Sequence, residues 1–423
     1  MKKLKVIHLV FTDVTGGAAR ATLRLHDSLL KEDIDSKILV ASKNSDNINV
    51  VQANLFKISF FNRMAHFIDR LRLIFYRKVK NKFSSAWFSN HLPKIINKMH
   101  PDIVHIQWIN NGQLAIKDLD KIRAPLVWSM LDMWPFTGGC HYSGSCIGYK
   151  KSCGKCPILN SNKASDLSSS IHSKKNYMFS NVKIKFVAVS SWMKFSAQNS
   201  SLLNDQDIDL VLPGLNTEIY KPINKSFSRE MFNLPSNKKL ILFGAMSATS
   251  DPRKGYQLLL EAIDIISKSD QSQEFELVIF GATNDNKDSF NRLKTHYLGR
   301  LTSGYGLHDD GSLAALYSAA DITVVPSLEE AFGQTASESL ACGTPVVGFN
   351  GTGLNDIVDH MQNGYLANLN DPSDLAKGII FVANSTNDLS LNARKKALND
   401  FTDVKMAKNY INIYKNLDKT YEK

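Results

Sequence analysis

Two glutamates seven residues apart, Glu330 and Glu338, stand in the run Pro326-Ser327-Leu328-Glu329-Glu330-Ala331-Phe332-Gly333-Gln334-Thr335-Ala336-Ser337-Glu338. The apolar stretch Ile322-Thr323-Val324-Val325 ahead of it predicts a buried parallel strand. Thr335 to Cys342, closed by Gly343 and Pro345, predicts a helix. One carboxylate then lies on the loop at the carboxyl end of a strand and the other on the first turn of the following helix. In an open α/β sheet that crevice is where ligands bind. Between the two acids, Phe332-Gly333-Gln334 can turn backbone N–H groups toward an anion while the carboxylates take neighbouring hydroxyls. The chemistry implied is the holding of a phosphorylated, hydroxyl-rich molecule. Glu338 has a second reading, because Thr335-x-x-Glu338 also fits a capping box.

Two cations join this set. Asp251-Pro252-Arg253-Lys254-Gly255 falls between a strand ending at Phe243 and a helix from about Tyr256, on the same sheet edge. Arg253 and Lys254 at a helix start suit an anion such as a phosphate group. Gly281 and Asn350-Gly351-Thr352-Gly353, each after a strand, would let the backbone approach a ligand closely.

The motif, continued by Ser339-Leu340-Ala341-Cys342-Gly343-Thr344-Pro345-Val346-Val347, resembles the Glu-x7-Glu signature of the family 4 retaining glycosyltransferases. The resemblance implies that Glu330 contacts a donor sugar, Glu338 the ribose of its nucleotide, and Gly333, Gln334 and Thr335 the diphosphate. Lys254 inherits the place of the family's Lys before a Gly. Gly16-Gly17, after the first strand, resembles the family's glycine loop beside the acceptor and diphosphate. No cofactor or metal is required for catalysis in that family. Two departures stand out: Ala245 follows Gly244 where the family has an Arg, with Arg253 or, less directly, Arg300 as substitutes, and Leu131 stands where many members have a His. The segment Val127-Trp128-Ser129-Met130-Leu131-Asp132-Met133-Trp134-Pro135-Phe136-Thr137-Gly138-Gly139-Cys140-His141-Tyr142 narrows the resemblance to exopolysaccharide members of the colanic-acid type. Asp132 and His141 become the polar candidates near an acceptor hydroxyl, although Asp132 also fits a cap. His105 reads as a satisfied core histidine.

Four cysteines, Cys140, Cys146, Cys153 and Cys156, cluster within seventeen residues and are expected to form a structural zinc site, with reduced thiols or a disulfide as alternatives. Asp205-Gln206-Asp207 and Asp207-Ile208-Asp209 look like metal-binding pairs but precede the linker, away from the donor loops.

The elements that must position these residues follow from the alternation of apolar runs. Val6–Phe11, Ser36–Ala41, Asp102–Gln107, Leu126–Ser129 and Lys185–Ser190 read as strands of a first half. Leu240–Phe243, Glu276–Phe280, Ile322–Val325 and Pro345–Phe349 read as strands of a second, with helices at Tyr256–Ser267 and Gly311–Ala319. Such alternation predicts parallel sheets covered by helices. The resemblance implies an α/β chain of two Rossmann-like domains facing each other across a cleft, the GT-B architecture. The expected domains are an acceptor-binding domain over 1–213, a nucleotide-sugar-binding domain over 214–402 and a helix over 403–423 that crosses back to the first. Pro213-Gly214-Leu215-Asn216-Thr217 punctuates the boundary, and the Ser-rich patch Ser165 to Ser173 reads as a loop.

At 423 residues the chain is too long for one ordinary core, and 43% apolar with 22% charged residues marks it as globular. The net charge of +11 is concentrated: residues 56–98 hold ten Lys or Arg and the single acid Asp69. Phe60, Phe61, Met64, Phe67, Ile68, Leu71, Ile74, Phe75 and Val79 recur there at helical spacing, which suits an amphipathic helix resting on an anionic membrane surface. No nucleic-acid-binding motif is present, so nucleic acid is not an expected partner. The start, Met1 to Phe11, reads as a first strand rather than a signal peptide, which places the protein in the cytoplasm at the inner face of the plasma membrane. The expected partners are therefore a nucleotide-diphosphate sugar, a glycan or polyprenyl-linked glycan acceptor and an anionic membrane. The alternatives are a sugar-nucleotide epimerase of the same architecture and a catalytically silent membrane-associated scaffold.

Overall fold

The computed structural model describes residues 3–53, 64, 67–76, 79, 82–244, 251–281, 293–299, 301, 309–385 and 388–421. The chain forms two compact units, Met1–Leu212 with Met406–Lys423, and Pro213–Lys405. The break falls at the Pro213 punctuation.

In the first unit the described residues build a parallel sheet from β1 (Lys5–Thr12), β2 (Asp35–Ser42), β3 (Val50–Gln52), β4 (Ile103–Trp108), β5 (Leu126–Met130), β6 (Ile184–Ala188) and β7 (Ile208–Leu210), in the order β3-β2-β1-β4-β5-β6-β7. The helices that join or cover them are α1 (Gly17–Lys31), α2 (Leu92–Lys98), α3 (Leu167–Asn181) and α4 (Ser191–Gln198). The strands are near-continuous apolar runs because both faces of a parallel sheet are covered. Gly16 starts α1 at a φ of 99°. Polar side chains also enter the interior, and among them His8 of β1 pairs in register with His105 of β4. The Ser-rich patch, expected as a loop, is instead the start of α3. Asp166 caps it by accepting from the Ser168 and Ser169 N–H groups, so the serines that resemble loop composition are first-turn residues.

In the second unit β8 (Lys239–Gly244), β9 (Phe275–Phe280), β10 (Thr295–Gly299), β11 (Ile322–Val325), β12 (Val346–Phe349) and β13 (Gly364–Ala367) form a parallel sheet ordered β10-β9-β8-β11-β12-β13. Its helices are α5 (Lys225–Met231), α6 (Tyr256–Ser267), α7 (Asp310–Ala319), α8 (Gln334–Ala341), α9 (Pro372–Asn384) and α10 (Asp388–Asp400). Its core gathers Ile241, Phe243, Ile263, Leu277, Val324, Val347 and Ile379. In both sheets the chain reverses its direction of growth at one point, between β1 and β4 and between β8 and β11. Those points are the crevices for ligands in open α/β sheets.

The last helix, α11 (Asp403–Tyr421), returns to the first unit from Met406 onward. Met406, Tyr410, Ile411 and Tyr414 bury against Val6, Ile103, Val127 and Val187. The Tyr414 hydroxyl lies 2.6 Å from His105 Nδ1, Ser129 Oγ lies 2.7 Å from His105 Nε2, and the Tyr410 hydroxyl is 2.7 Å from Ser129 Oγ. His105 is thus the satisfied core histidine.

Burial pushes His26 down to about 4 and His105 down to about 3, and holds His8 well below the ordinary histidine value with help from His105 and His26. The unfolded chain therefore binds protons near pH 6.5 that the native first unit refuses. The stability these groups contribute is complete above pH 6.5 and lost as pH falls toward 4, with a slope of about 1.4 kcal/mol per pH unit for each histidine. The urea midpoint is expected to be clearly lower at pH 5 than at pH 7. Equal midpoints would show that these histidines titrate alike in both states.

Candidate functional site

The loops after β8 and β11 flank the switch point of the second sheet, and they carry the residues singled out from the sequence. Asp251 opens a single 3-10 turn over Pro252–Lys254, accepting from the Arg253 N–H, and Gly255 closes it at a φ of 68°. A Cβ on Gly255 would stand 1.8 Å from the Pro326 carbonyl oxygen, so only glycine lets this turn press on the β11 loop. The Leu328 N–H donates to the Arg253 carbonyl at 2.8 Å, which locks the loops together. As a result Lys254 Nζ reaches Glu330 Oε2 at 2.7 Å, with the Ser327 hydroxyl donating to the same oxygen at 3.2 Å. Both side chains stay open to solvent in part, 22% for Lys254 and 14% for Glu330.

Gly333, at a φ of 113°, ends the loop and serves as the N-cap of α8, so the helix starts at Gln334 and Thr335. The first turn of a helix leaves N–H groups without an intrahelical acceptor, and its dipole favours an anion there. No side chain caps α8. The capping-box reading of Thr335 and Glu338 is therefore corrected. Glu338 is fully buried and accepts from the Tyr317 hydroxyl at 2.8 Å. The two glutamates thus differ in kind: Glu330 pairs with a cation at a partly open edge, and Glu338 is held inside. Arg253 engages Asp251 through its guanidinium rather than pointing away from its own turn. Ala245 and Arg300 lie outside the described residues. Gly353 packs its backbone on Ala331 and Phe332, and its N–H donates to the Glu330 carbonyl at 2.8 Å. That glycine supports the Glu330 loop.

The first unit brings Asp132 and His141 together. His141 Nδ1 is 2.6 Å from Asp132 Oδ2, which also accepts from the Trp108 indole N–H at 3.0 Å, while the Trp134 N–H donates to Oδ1 at 2.9 Å. Burial raises Asp132, but His141 and these donors outweigh it and leave the carboxyl below its usual value. Burial, with Lys82 and Lys175, lowers His141 by more than Asp132 raises it, so the imidazole is neutral near pH 7. Ser84, which no sequence pattern flagged, lies 2.9 Å from His141 Nε2. Leu131, at the position of the missing family histidine, directly precedes this carboxylate. Gly16, with φ 99°, would meet nothing within 4 Å if it carried a Cβ, so the turn before α1 is open on that side.

The four cysteines expected to hold a structural zinc lie in one region of the first unit, where Cys140 interacts electrostatically with Cys156 and Cys153, and Cys153 with Cys146 and Cys156. All are free thiols, and among the described residues no group of three or more His, Cys, Asp or Glu side chains is placed to hold a metal ion. Cys140 and Cys156 also pack with Phe83, Ile158, Leu159 and Ile171 in an apolar cluster. Burial pushes the Cys140 thiol up to about 12 and Cys153 up to about 11, which keeps both protonated. Asp207 and Asp209 pair with Lys185.

Residues 224–399 match the family described as glycosyl transferases group 1. The chain is 32% identical over 179 residues to the D-inositol 3-phosphate glycosyltransferase of Streptosporangium roseum, covering 40% of each, and 30% identical over 181 residues to that of Thermobispora bispora, covering 41% of each. It therefore spans about 40% of the length of these curated relatives. Over almost the whole chain the fold is that of sucrose-phosphate synthase from Thermosynechococcus elongatus, with a TM-score of 0.69, 15% identity and coverage of 98% and 99%. Anabaena HepE, solved in complex with UDP and glucose, gives a TM-score of 0.64 at 17% identity, covering 97% of this chain and 99% of that one. The second unit thus carries the group 1 glycosyltransferase pattern on a two-unit parallel α/β fold shared with GT-B glycosyltransferases.

Proposed function

We propose that the protein transfers a sugar from a nucleotide-diphosphate donor to a hydroxyl acceptor. The observation that carries this reading is the Lys254–Glu330 pair at 2.7 Å, set at the switch point of the second sheet beside the start of α8. A lysine there neutralises a departing diphosphate, α8 adds its dipole, and Glu330 is placed for a sugar hydroxyl. The finer reading keeps retention of configuration without a metal, as in the family 4 enzymes. It makes the acceptor a growing, polyprenyl-linked surface polysaccharide of the exopolysaccharide kind, used at the cytoplasmic face of the membrane. Membrane contact draws support from Phe67, Ile74 and Phe75, which are 54%, 69% and 88% exposed beside Arg70 and Arg72. Among the described residues no helix is long and apolar enough to cross a membrane.

The test is incubation of the full chain with radiolabelled sugar nucleotides, with and without lipid-linked acceptors on phosphatidylglycerol vesicles. Transfer supports the reading. Epimerised donor without acceptor, or binding without turnover, would move the protein to one of the two alternatives, and indifference to the vesicles would remove the membrane from it.

A further inference from the structure

We propose that Ser84, His141 and Asp132 form a proton relay that opens on a pocket of the first unit and serves a hydroxyl of an acceptor carrying a phosphate group. The reaction it would serve rests on the glycosyl-transfer reading; the relay and the pocket do not. The three side chains run in the order carboxylate, imidazole, hydroxyl, at 2.6 Å and 2.9 Å. Asp132 accepts from Nδ1, which fixes the tautomer and leaves Nε2 to accept from the Ser84 hydroxyl.

The backbone builds this array deliberately close. Phe83 and Cys140 pair as an antiparallel bridge, the Ser84 N–H donates to the Gly139 carbonyl at 2.9 Å, and the Met133 N–H donates to the His141 carbonyl at 2.9 Å. The Trp134 indole N–H closes the frame on the Ser84 carbonyl at 2.9 Å. A Cβ on Gly139, whose φ is 124°, would lie 2.5 Å from the Phe83 ring, so a larger residue would push the two segments apart. Trp108 stacks on His141 with ring centroids 5.5 Å apart, and Lys82 Nζ sits 4.6 Å over the Trp108 ring.

Ser84 is the end of the relay that lines a pocket of about 460 Å³. Arg70, Lys82 and Asn111 give the pocket cations and an amide, and Leu73, Ile74 and Val79 give it an apolar wall. Its one acid, Asp69, accepts from the Ser85 hydroxyl and the Trp87 N–H. Two cations beside a hydroxyl match a phosphate ester of a polyol or sugar, with carbon chain along the apolar wall. In the step, the acceptor hydroxyl gives its proton to Ser84 Oγ as Ser84 gives its own to His141 Nε2, and Asp132 stabilises the imidazolium. On the face from which the diphosphate departs, as retention requires, the acceptor oxygen bonds to the anomeric carbon while the bond to the diphosphate breaks, and the electron pair of the broken bond leaves on the diphosphate. Ser84 touches the acceptor; Asp132 is a positioning residue acting through His141.

The experiment uses the full-length ¹⁵N-labelled protein. His141 is expected in the Nδ1–H tautomer, and glycerol 3-phosphate is expected to shift its ring resonances saturably, with glycerol silent and the response weakened at least tenfold in Lys82→Ala. In turnover, Ser84→Ala is expected to lower transfer by about 10²–10⁴-fold with UDP-glucose affinity unchanged. Asp132→Asn is expected to lose rate and shift the acid limb of the pH profile. An Nε2–H tautomer, a ring blind to glycerol 3-phosphate, or wild-type transfer by Ser84→Ala would each overturn the relay. If the wild-type chain moves no sugar at all, the transfer reading fails, and the tautomer and glycerol 3-phosphate response still decide the relay.

Discussion

Lys254→Ala and Glu330→Gln are each expected to lower sugar transfer by about 10²–10³-fold while the protein stays folded. In the resting structure the two charges neutralise each other across 2.7 Å. On the proposed reading, an arriving diphosphate competes for the ammonium, and that competition releases Glu330 to accept from a sugar hydroxyl. Loss of the lysine removes a charge that matters most as the sugar–phosphate bond breaks, so the expected loss is in kcat more than in KM. Glu330→Gln keeps size and hydrogen bonding but removes the acceptor charge. Neither change should unfold the chain, because a partly solvated ion pair contributes only about 1 kcal/mol. Steady-state kinetics with melting curves on the same samples check both parts. Unchanged turnover in Lys254→Ala would place the diphosphate elsewhere.

How much of this was legible in the sequence depends on how local each signal is. Glu330, Lys254 and Gly333 sit on loops fixed by their neighbours in sequence, and the strands before them are long apolar runs with both faces buried. The interior strands were readable for that reason. The edge strands β3, β7, β10 and β13 were not: β10, Thr295–Gly299, is half-buried along its length and mixes polar with apolar residues, so it carries no periodic signal. The different natures of Glu330 and Glu338 were hidden because Tyr317, which holds Glu338, comes from α7, before the motif itself begins. Ser84 was invisible for the same reason on a larger scale, since 57 residues separate it from His141 and only the folded pairing of the two segments, around the Phe83–Cys140 bridge, brings them together. The cysteines were legible as a cluster but not in their conformation: the loop turns through Cys153 and Lys155 at positive φ, and Cys140 and Cys156 also pack into an apolar cluster.

Removing α11, by ending the chain at Lys405, is expected to leave the first unit unable to fold. Met406, Ile411 and Ile413 are buried, at about 1.5–3 kcal/mol each, and Tyr410 and Tyr414 add two larger rings. The loss is comparable to the whole stability of an ordinary domain, about 5–15 kcal/mol. It would also strip His105 and Ser129 of their hydroxyl partners in the middle of the sheet. The shortened chain should therefore be recovered as aggregate. A milder change isolates the polar part: Tyr414→Phe keeps the ring and deletes one hydroxyl, leaving His105 Nδ1 without its 2.6 Å partner. That substitution is expected to cost about 1–3 kcal/mol, read as a lower urea midpoint at unchanged slope. A soluble, cooperatively folding chain ending at Lys405 would mean that the sheet of the first unit closes its own core, and that the returning helix only caps it.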